Sequence, residues 1–368
     1  MPSAFGYALY KAKWAESSVP VVYTSSVPEK YKTAIGNASK TWGQAGANIA
    51  FHNSSRTTNA VNISFVDKLP PMNGEEPPSG AVAGTYNLVY GNNSSRYYSS
   101  DIRFNSKVHW GLMTDVETVA LHEFGHALGL GHTQFLNYTK SIMTKEYLGT
   151  RRTLKSDDIA GLKAKYGSKT PSSWLTDSRF VSDSYPISES DSKGFEYENK
   201  ISQRNFLLEQ NSQDASQIVS VSLQYIPFSN EELIEQSDLI VRGTIQAALP
   251  AEWATNDGTA PKYKYVKDPY SYAMYHDVVV KVDEVFKGSA DDEIVIRQTG
   301  GSVDGTAIID MDSINYLKGD EAILYLKEGA HSTDLFPYYI AIPVQGELLV
   351  IDEECVNPYG QVVYSEYK

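Results

Sequence analysis

The sequence predicts two folded parts of different class: an α/β (α+β) domain with a mixed sheet, then an all-β domain, barrel or sandwich. Three observations predict this. Helix-like and strand-like periodicities alternate up to residue 167, a polar stretch fills 168–228, and 229–368 reads as β-type runs divided by Gly and Asp turns. The charge divides at the same place. Residues 1–170 carry 18 basic and 12 acidic side chains, and residues 171–368 carry 14 and 33. A chain of 368 residues has the length of two domains, or alternatively three.

In chain order, a strand is expected near 19–24, a long helix near 28–46, and strands near 61–66, 81–90 and 101–105. NGEEPPSG (73–80) and GNNSSRYYSS (91–100) read as surface loops. TDVETVALHEFGHALGL (114–130) reads as a helix over 115–128, with Val116, Val119, Ala120, Phe124, Ala127 and Leu128 as an apolar stripe and Thr114 and Glu117 as its capping box. A last helix is expected over 156–166. Residues 168–228, rich in Ser, Asp, Asn and Gln, read as a linker, partly disordered, with a short helix or strand near its end. SNEELIEQS (229–237) then reads as a short helix with a Ser cap and Glu three residues on. The β-type runs beyond it predict the small antiparallel barrel or sandwich.

The stretch HEFGHALGLGH (122–132) holds three of the chain's seven histidines. His122 and His126, four residues apart, lie one turn apart on one helix face, close enough to share an ion. Glu123 sits about 100° round the helix, beside the pair. Gly129 can take φ > 0 and let the chain reverse, so that His132 swings back as a third ligand. Three neutral imidazoles suit Zn²⁺ and leave a fourth position for water, whose pKa the metal lowers to about 7. A neighbouring carboxylate can then take the proton as water attacks a carbonyl. An amphipathic helix with incidental histidines would explain neither the third histidine nor the glycine.

This stretch, with Ser141, Ile142 and Met143 about ten residues further on, is similar to the signature of the metzincin zinc peptidases, HExxHxxGxxH followed by a methionine turn. LKSDDIAGLKAKYG (154–167) resembles the last helix of the matrixin branch. VPVVYTSSVPEKYKTAIGNASKTWGQAG (19–46) resembles its first strand and first helix, and NISF (62–65) its second strand. The resemblance implies a metzincin-type domain with a twisted mixed sheet over 1–167. His122, His126 and His132 would bind one catalytic zinc, with Glu123 as general base and proton shuttle. Met143 would form the floor under the metal, and Asp158, or alternatively Asp157, would brace the methionine turn. Met143 also reads as an ordinary core methionine, and the two aspartates as an N-cap pair; that second reading and the bracing role can hold together. By resemblance and position, AVAGTYNLVY (81–90) is the edge strand that would pair with an extended substrate.

The departures carry information too. Where animal matrixins place a histidine and an acidic run for structural zinc and calcium, this chain has Arg103, Asn105 and Ser106. Arginine does not ligate metal, so no second zinc is expected and structural calcium is doubtful. The single cysteine, Cys355, near the C-terminus, supports neither an intrachain disulfide nor a thiolate latch on the metal. Lys145 stands two residues after the methionine, where several metzincins have a tyrosine, and Tyr147 receives no role. His109 reads as a surface or half-buried histidine.

The function expected is a secreted zinc endopeptidase acting on protein or peptide. The alternatives are a catalytically silent metzincin-fold binding or surface protein, and a zinc hydrolase of a non-peptide bond. The acidic second half argues against nucleic acid, and no apolar run is long enough to span a membrane. The opposite charges of the two halves suggest a contact between them. No signal peptide is visible at the start, and export with a removed signal is the favoured reading. Residues 229–368 show no nucleophile–base pair and no metal cluster, and read as a binding or structural domain.

Overall fold

The computed structural model describes residues 6–67, 69, 80–90, 95–111, 113–133, 141–169, 197, 204, 215–254, 274–328, 338–340, 345–358 and 362–363. These fall into two units, the first comprising 1–69, 80–192 and 220–227, the second the remainder. The loop expected at 73–80, apart from Gly80, most of the polar stretch and residues 134–140 lie outside the described residues.

In the first unit the elements are β1 (Ser18–Tyr23), α1 (Glu29–Gly43), β2 (Ala50–Asn53), β3 (Val61–Val66), β4 (Ala81–Tyr90), β5 (Tyr97–Asn105), α2 (Val116–Ala127) and α3 (Ser156–Tyr166), with residues 220–225 of β6 (Gln217–Tyr225). Within this unit the strands lie in the order β6-β4-β5-β3-β1-β2. The β1–β2, β1–β3 and β3–β5 pairs are parallel and β4–β5 is antiparallel, so the sheet is mixed. Strand β3 shows why: VNISFV alternates buried and half-buried side chains, with Val61, Ile63 and Phe65 turned into the core. Parallel neighbours need a crossover, and α1 supplies one between β1 and β2.

Helix α1 buries Ile35, Ala38 and Trp42 and packs on α2. The Trp42 indole donates to the Leu121 carbonyl at 2.7 Å. Eleven of the twelve residues of α2 are buried, so its polar side chains are fixed inside the domain rather than on a wet face. The first turn of α2 differs from the expected capping box. Asp115, not Thr114, is the N-cap, accepting from the Thr118 amide at 2.9 Å and the Thr118 hydroxyl at 2.7 Å, while Arg152 holds its other oxygen at 2.5 Å. The ionised Asp115 side chain accepts from the third helical N–H and at the same time pairs with the Arg152 cation, which a neutral Thr114 cap would not.

The second unit begins with α4 (Asn230–Gln236), capped by Ser229 and Glu232 in a reciprocal box. Its strands are β7 (Leu239–Ala248), β8 (Glu252–Trp253), β9 (Met274–Lys287), β10 (Glu293–Thr299), β11 (Gly301–Val303), β12 (Thr306–Asp310), β13 (Glu321–Glu328), β14 (Tyr338–Ile340), β15 (Glu347–Ile351) and β16 (Glu354–Val356). Strand β14 pairs with β10 on one side and β13 on the other, so β7, β9, β10, β14 and β13 close into a ring. Val241, Ile245, Val278, Val280, Ile296, Leu324 and Leu326 fill it. Cys355 is buried beside Leu233 and Tyr325.

Replacing Asp115 with Ala is expected to destabilise the first unit by about 1–2 kcal/mol in urea unfolding, the usual worth of such a cap, while Thr114→Ala leaves the cap hydrogen bonds in place.

Candidate metal centre

A helix buried almost to its end leaves carbonyls that water cannot reach. In α2 the chain satisfies them one by one. The Asn87 side-chain amide donates to the His126 carbonyl (3.1 Å). The Trp14 indole donates to Ala127 (2.7 Å) and the Tyr166 hydroxyl to Leu128 (2.9 Å). Burial pushes the Tyr166 phenol up from its ordinary value, which keeps it a donor. The helix then closes in a left-handed turn. Gly129 has φ +84°, its amide donates to His126 and the Leu130 amide reaches back to Gly125. A Cβ on Gly129 would stand 2.4 Å from Lys165 Cε and 2.9 Å from the Tyr97 hydroxyl, so conformation and space both call for glycine.

That turn delivers His132 back to the helix. The Nε2 atoms of His122, His126 and His132 are 2.9, 3.1 and 3.3 Å apart. Around a tetrahedral zinc with Zn–N bonds of about 2.0–2.1 Å, the nitrogens would sit about 3.3–3.4 Å apart. All three residues are buried. The carbonyls of Ile142 (3.0 Å) and Leu130 (2.8 Å) face Nδ1 of His122 and His126. Those acceptors draw the ring proton to Nδ1 and leave Nε2 with its lone pair turned inward. Burial first, and then the two neighbouring imidazoles, push His126 well below its ordinary pKa, so it is neutral. Three inward lone pairs suit a cation and little else. Among the described residues this is the one grouping of His, Cys, Asp and Glu side chains fit to hold a metal.

Glu123 is fully buried, and its Oε2 accepts from the Thr85 hydroxyl of β4 at 2.6 Å. Met143 lies under the helix. A Cβ on Gly125, between the two helical histidines, would meet Met143 Sδ at 2.2 Å. The Met143 carbonyl takes the Thr133 amide at 2.6 Å, which ties the residue after His132 to the same turn. Asp158 is buried against that turn. It accepts from the Ser141 hydroxyl, the Ile142 amide (3.0 Å) and the Lys155 amide (2.8 Å). Asp157 faces elsewhere, accepting from the Gly6 amide at 2.8 Å and the Thr133 hydroxyl at 3.1 Å. Burial raises Asp157 to about 7, with the charge of Asp158 adding to it. Burial likewise raises Asp158 to about 6 against the hydrogen bonds it accepts.

Other residues singled out in the sequence lie away from the three imidazoles. Arg103 pairs with Asp101 at 3.3 Å and covers the Tyr86 ring. Asn105 donates to the Ala81 carbonyl and Ser106 to Asp67. His109 is exposed. The Tyr147 hydroxyl accepts from the Asp115 amide at 2.9 Å. Conversely, Tyr10, Thr85 and Asn87 reach the centre from distant strands and loops, and no spacing in the sequence marked them. The Tyr10 ring lies parallel to the His126 imidazole, with its hydroxyl 3.3 Å from His126 Nδ1.

A mixed sheet backs a buried helix that presents three convergent histidines and a glutamate, the residue pattern of the metzincin signature. Residues 18–167 match the family model of the matrixins, and this part of the chain is a matrixin-like catalytic domain. Stromelysin-1 of Mus musculus is 27% identical over 186 residues, covering 47% of this chain and 37% of its own length. Metalloendoproteinase 1 of Glycine max is 28% identical over 181 residues, 44% of this chain and 55% of its own. Matrix metalloproteinase-19 of Homo sapiens is 44% identical over 59 residues, 16% of this chain and 11% of its own. The chain thus spans only part of each of these relatives. The family and the histidine triad together fit a catalytic zinc.

Two outcomes are expected. Gly129→Ala costs at least about 1 kcal/mol of stability and lowers zinc affinity, read by unfolding and by metal titration. Asp157 binds its proton more tightly folded (about 7) than unfolded (about 3.9), so its contribution is fully present below pH 4 and is lost as pH rises towards 7. The stability of the parent relative to Asp157→Asn should therefore fall between pH 4.5 and 7.5 in thermal melts.

Proposed function

We propose that the first unit is a zinc-dependent endopeptidase that hydrolyses peptide bonds in extended protein or peptide substrates. The observation that carries this is the convergence of three buried Nε2 atoms beside the buried carboxylate of Glu123. His122, His126 and His132 would hold the metal, which when bound supplies a water of pKa about 7 and polarises the scissile carbonyl. Glu123 would take a proton from the attacking water and pass it to the leaving amine. Thr85 positions that carboxylate by donating to one of its oxygens. Met143 packs beneath the helical histidines, and Asp158 pins the backbone of the turn that carries it. The Ile142 carbonyl in that turn fixes His122.

We further propose the division into a peptidase domain over 1–167, a linker over 168–228 and an all-β domain over 229–368 with a binding or structural role. We assign the chain to the cell exterior or surface, where a peptidase does least harm to its host. No helix among the described residues is long and apolar enough to cross a membrane.

The test is cleavage of an unfolded protein by the zinc-loaded chain and by Glu123→Gln. The variant should keep one zinc per chain and lose cleavage by about 10²–10⁴-fold, the usual contribution of a general base. A zinc-loaded chain that cuts nothing, whether or not β6 stays paired with β4, overturns the peptidase reading. A variant as active as the parent overturns the role of Glu123.

A further inference from the structure

The outer edge of β4 is where an extended substrate was expected to pair, and it is taken. Residues 220–225 lie beside it in the sheet. The Ile226 amide donates to the Gly80 carbonyl at 3.0 Å, and the Ser222 carbonyl and Leu223 side chain lie against Gly84, so the segment runs antiparallel to β4. Its other side is paired as well. The Tyr225 amide donates to the Lys145 carbonyl (3.2 Å) and the Tyr147 amide donates to the Tyr225 carbonyl (2.8 Å), a parallel bridge to the chain just beyond Met143. The segment is therefore threaded between two backbones, one from β4 and one from the turn beneath the histidines.

Three further observations place it next to the His126 ring and show the groove fitted to it. Tyr10 bridges the two: its hydroxyl is 2.7 Å from Ser222 Oγ and 3.3 Å from His126 Nδ1. Ser222, Leu223, Gln224 and Tyr225 are each no more than 3% exposed, although successive strand residues point to opposite faces. Gly84 lacks a side chain where Leu223 sits; a Cβ there would meet Leu223 Cδ2 at 2.2 Å and the Ser222 carbonyl at 3.2 Å. A glycine inside a strand is a site where another backbone can come close.

We propose that the segment Ser220–Ile226 is a built-in occupant of the substrate groove, bound by strand addition, and that cleavage of other proteins requires its displacement. The proposal rests on the peptidase reading for its consequence, but its occupancy is open to test without activity. The groove accepts a peptide through main-chain hydrogen bonds on both edges, a recognition mode indifferent to most side chains. A segment of the same chain competes at high effective concentration, so outside substrates meet a filled groove.

The test uses the full chain loaded with zinc. Hydrogen exchange resolved by peptic fragments should show slow exchange at Tyr147, Tyr225 and Ile226; fast exchange there overturns the occupancy. Tyr225→Pro removes the donor to Lys145, and Leu223→Glu places a charge where the side chain is fully buried. Both variants, checked for one bound zinc, should cleave an unfolded protein at least tenfold faster than the parent. Both should also bind a fluorescent peptide of residues 219–227 that the parent does not bind. Equal activity in an active parent and its variants overturns the proposal, as does failure of a zinc-loaded variant to take up the peptide. If neither parent nor variants cleave while the peptide binds the variants alone, occupancy stands and the peptidase reading fails.

Discussion

Three imidazole lone pairs aimed at one point repel one another unless a cation lies between them, and the first unit is arranged to hold them there. The arrangement is made from outside the triad. Backbone carbonyls of Leu130 and Ile142 fix the tautomers of His126 and His122, so ring orientation depends on two turns rather than on rotamer preference. One of those turns is held by Gly129 and the other by Asp158. Loss of either would loosen a ligand without touching it.

The same logic explains why α2 is so deeply buried. A helix in the core excludes water from the ligands and from Glu123, which strengthens their electrostatics, but it strands the carbonyls of the last turn. Trp14, Asn87 and Tyr166 each give a polar tip to one carbonyl while packing their remaining atoms into the core. The domain thus uses amphipathic side chains where an exposed helix would use solvent.

The helix and the three histidines were legible in the sequence because their spacing is local: four residues within one helix, then a glycine, then three more. Alternation made β3 legible for the same reason. The cap was misplaced by one residue because Thr114 and Asp115 are both good caps and only Arg152, distant in sequence, favours the second. Thr85, Asn87 and Tyr10 carried no local signal, since their roles arise from strand register and from a loop packed back on the helix end. The polar stretch read as linker promised at most a short element near its end. That element is β6, and its partner β4 lies more than a hundred residues earlier. Gly84, a residue without a side chain in the interior of β4, is where the two backbones come close.

Strand β4 itself has ten residues, AVAGTYNLVY, and not one charge. Left open, such an edge offers a row of unpaired amides and carbonyls to any other chain, and it lacks the lysines, prolines or inward charges that normally blunt one. The segment that lies along it therefore has a second consequence. It keeps molecules apart, and a chain from which it has been stripped would be prone to pair edge to edge and self-associate.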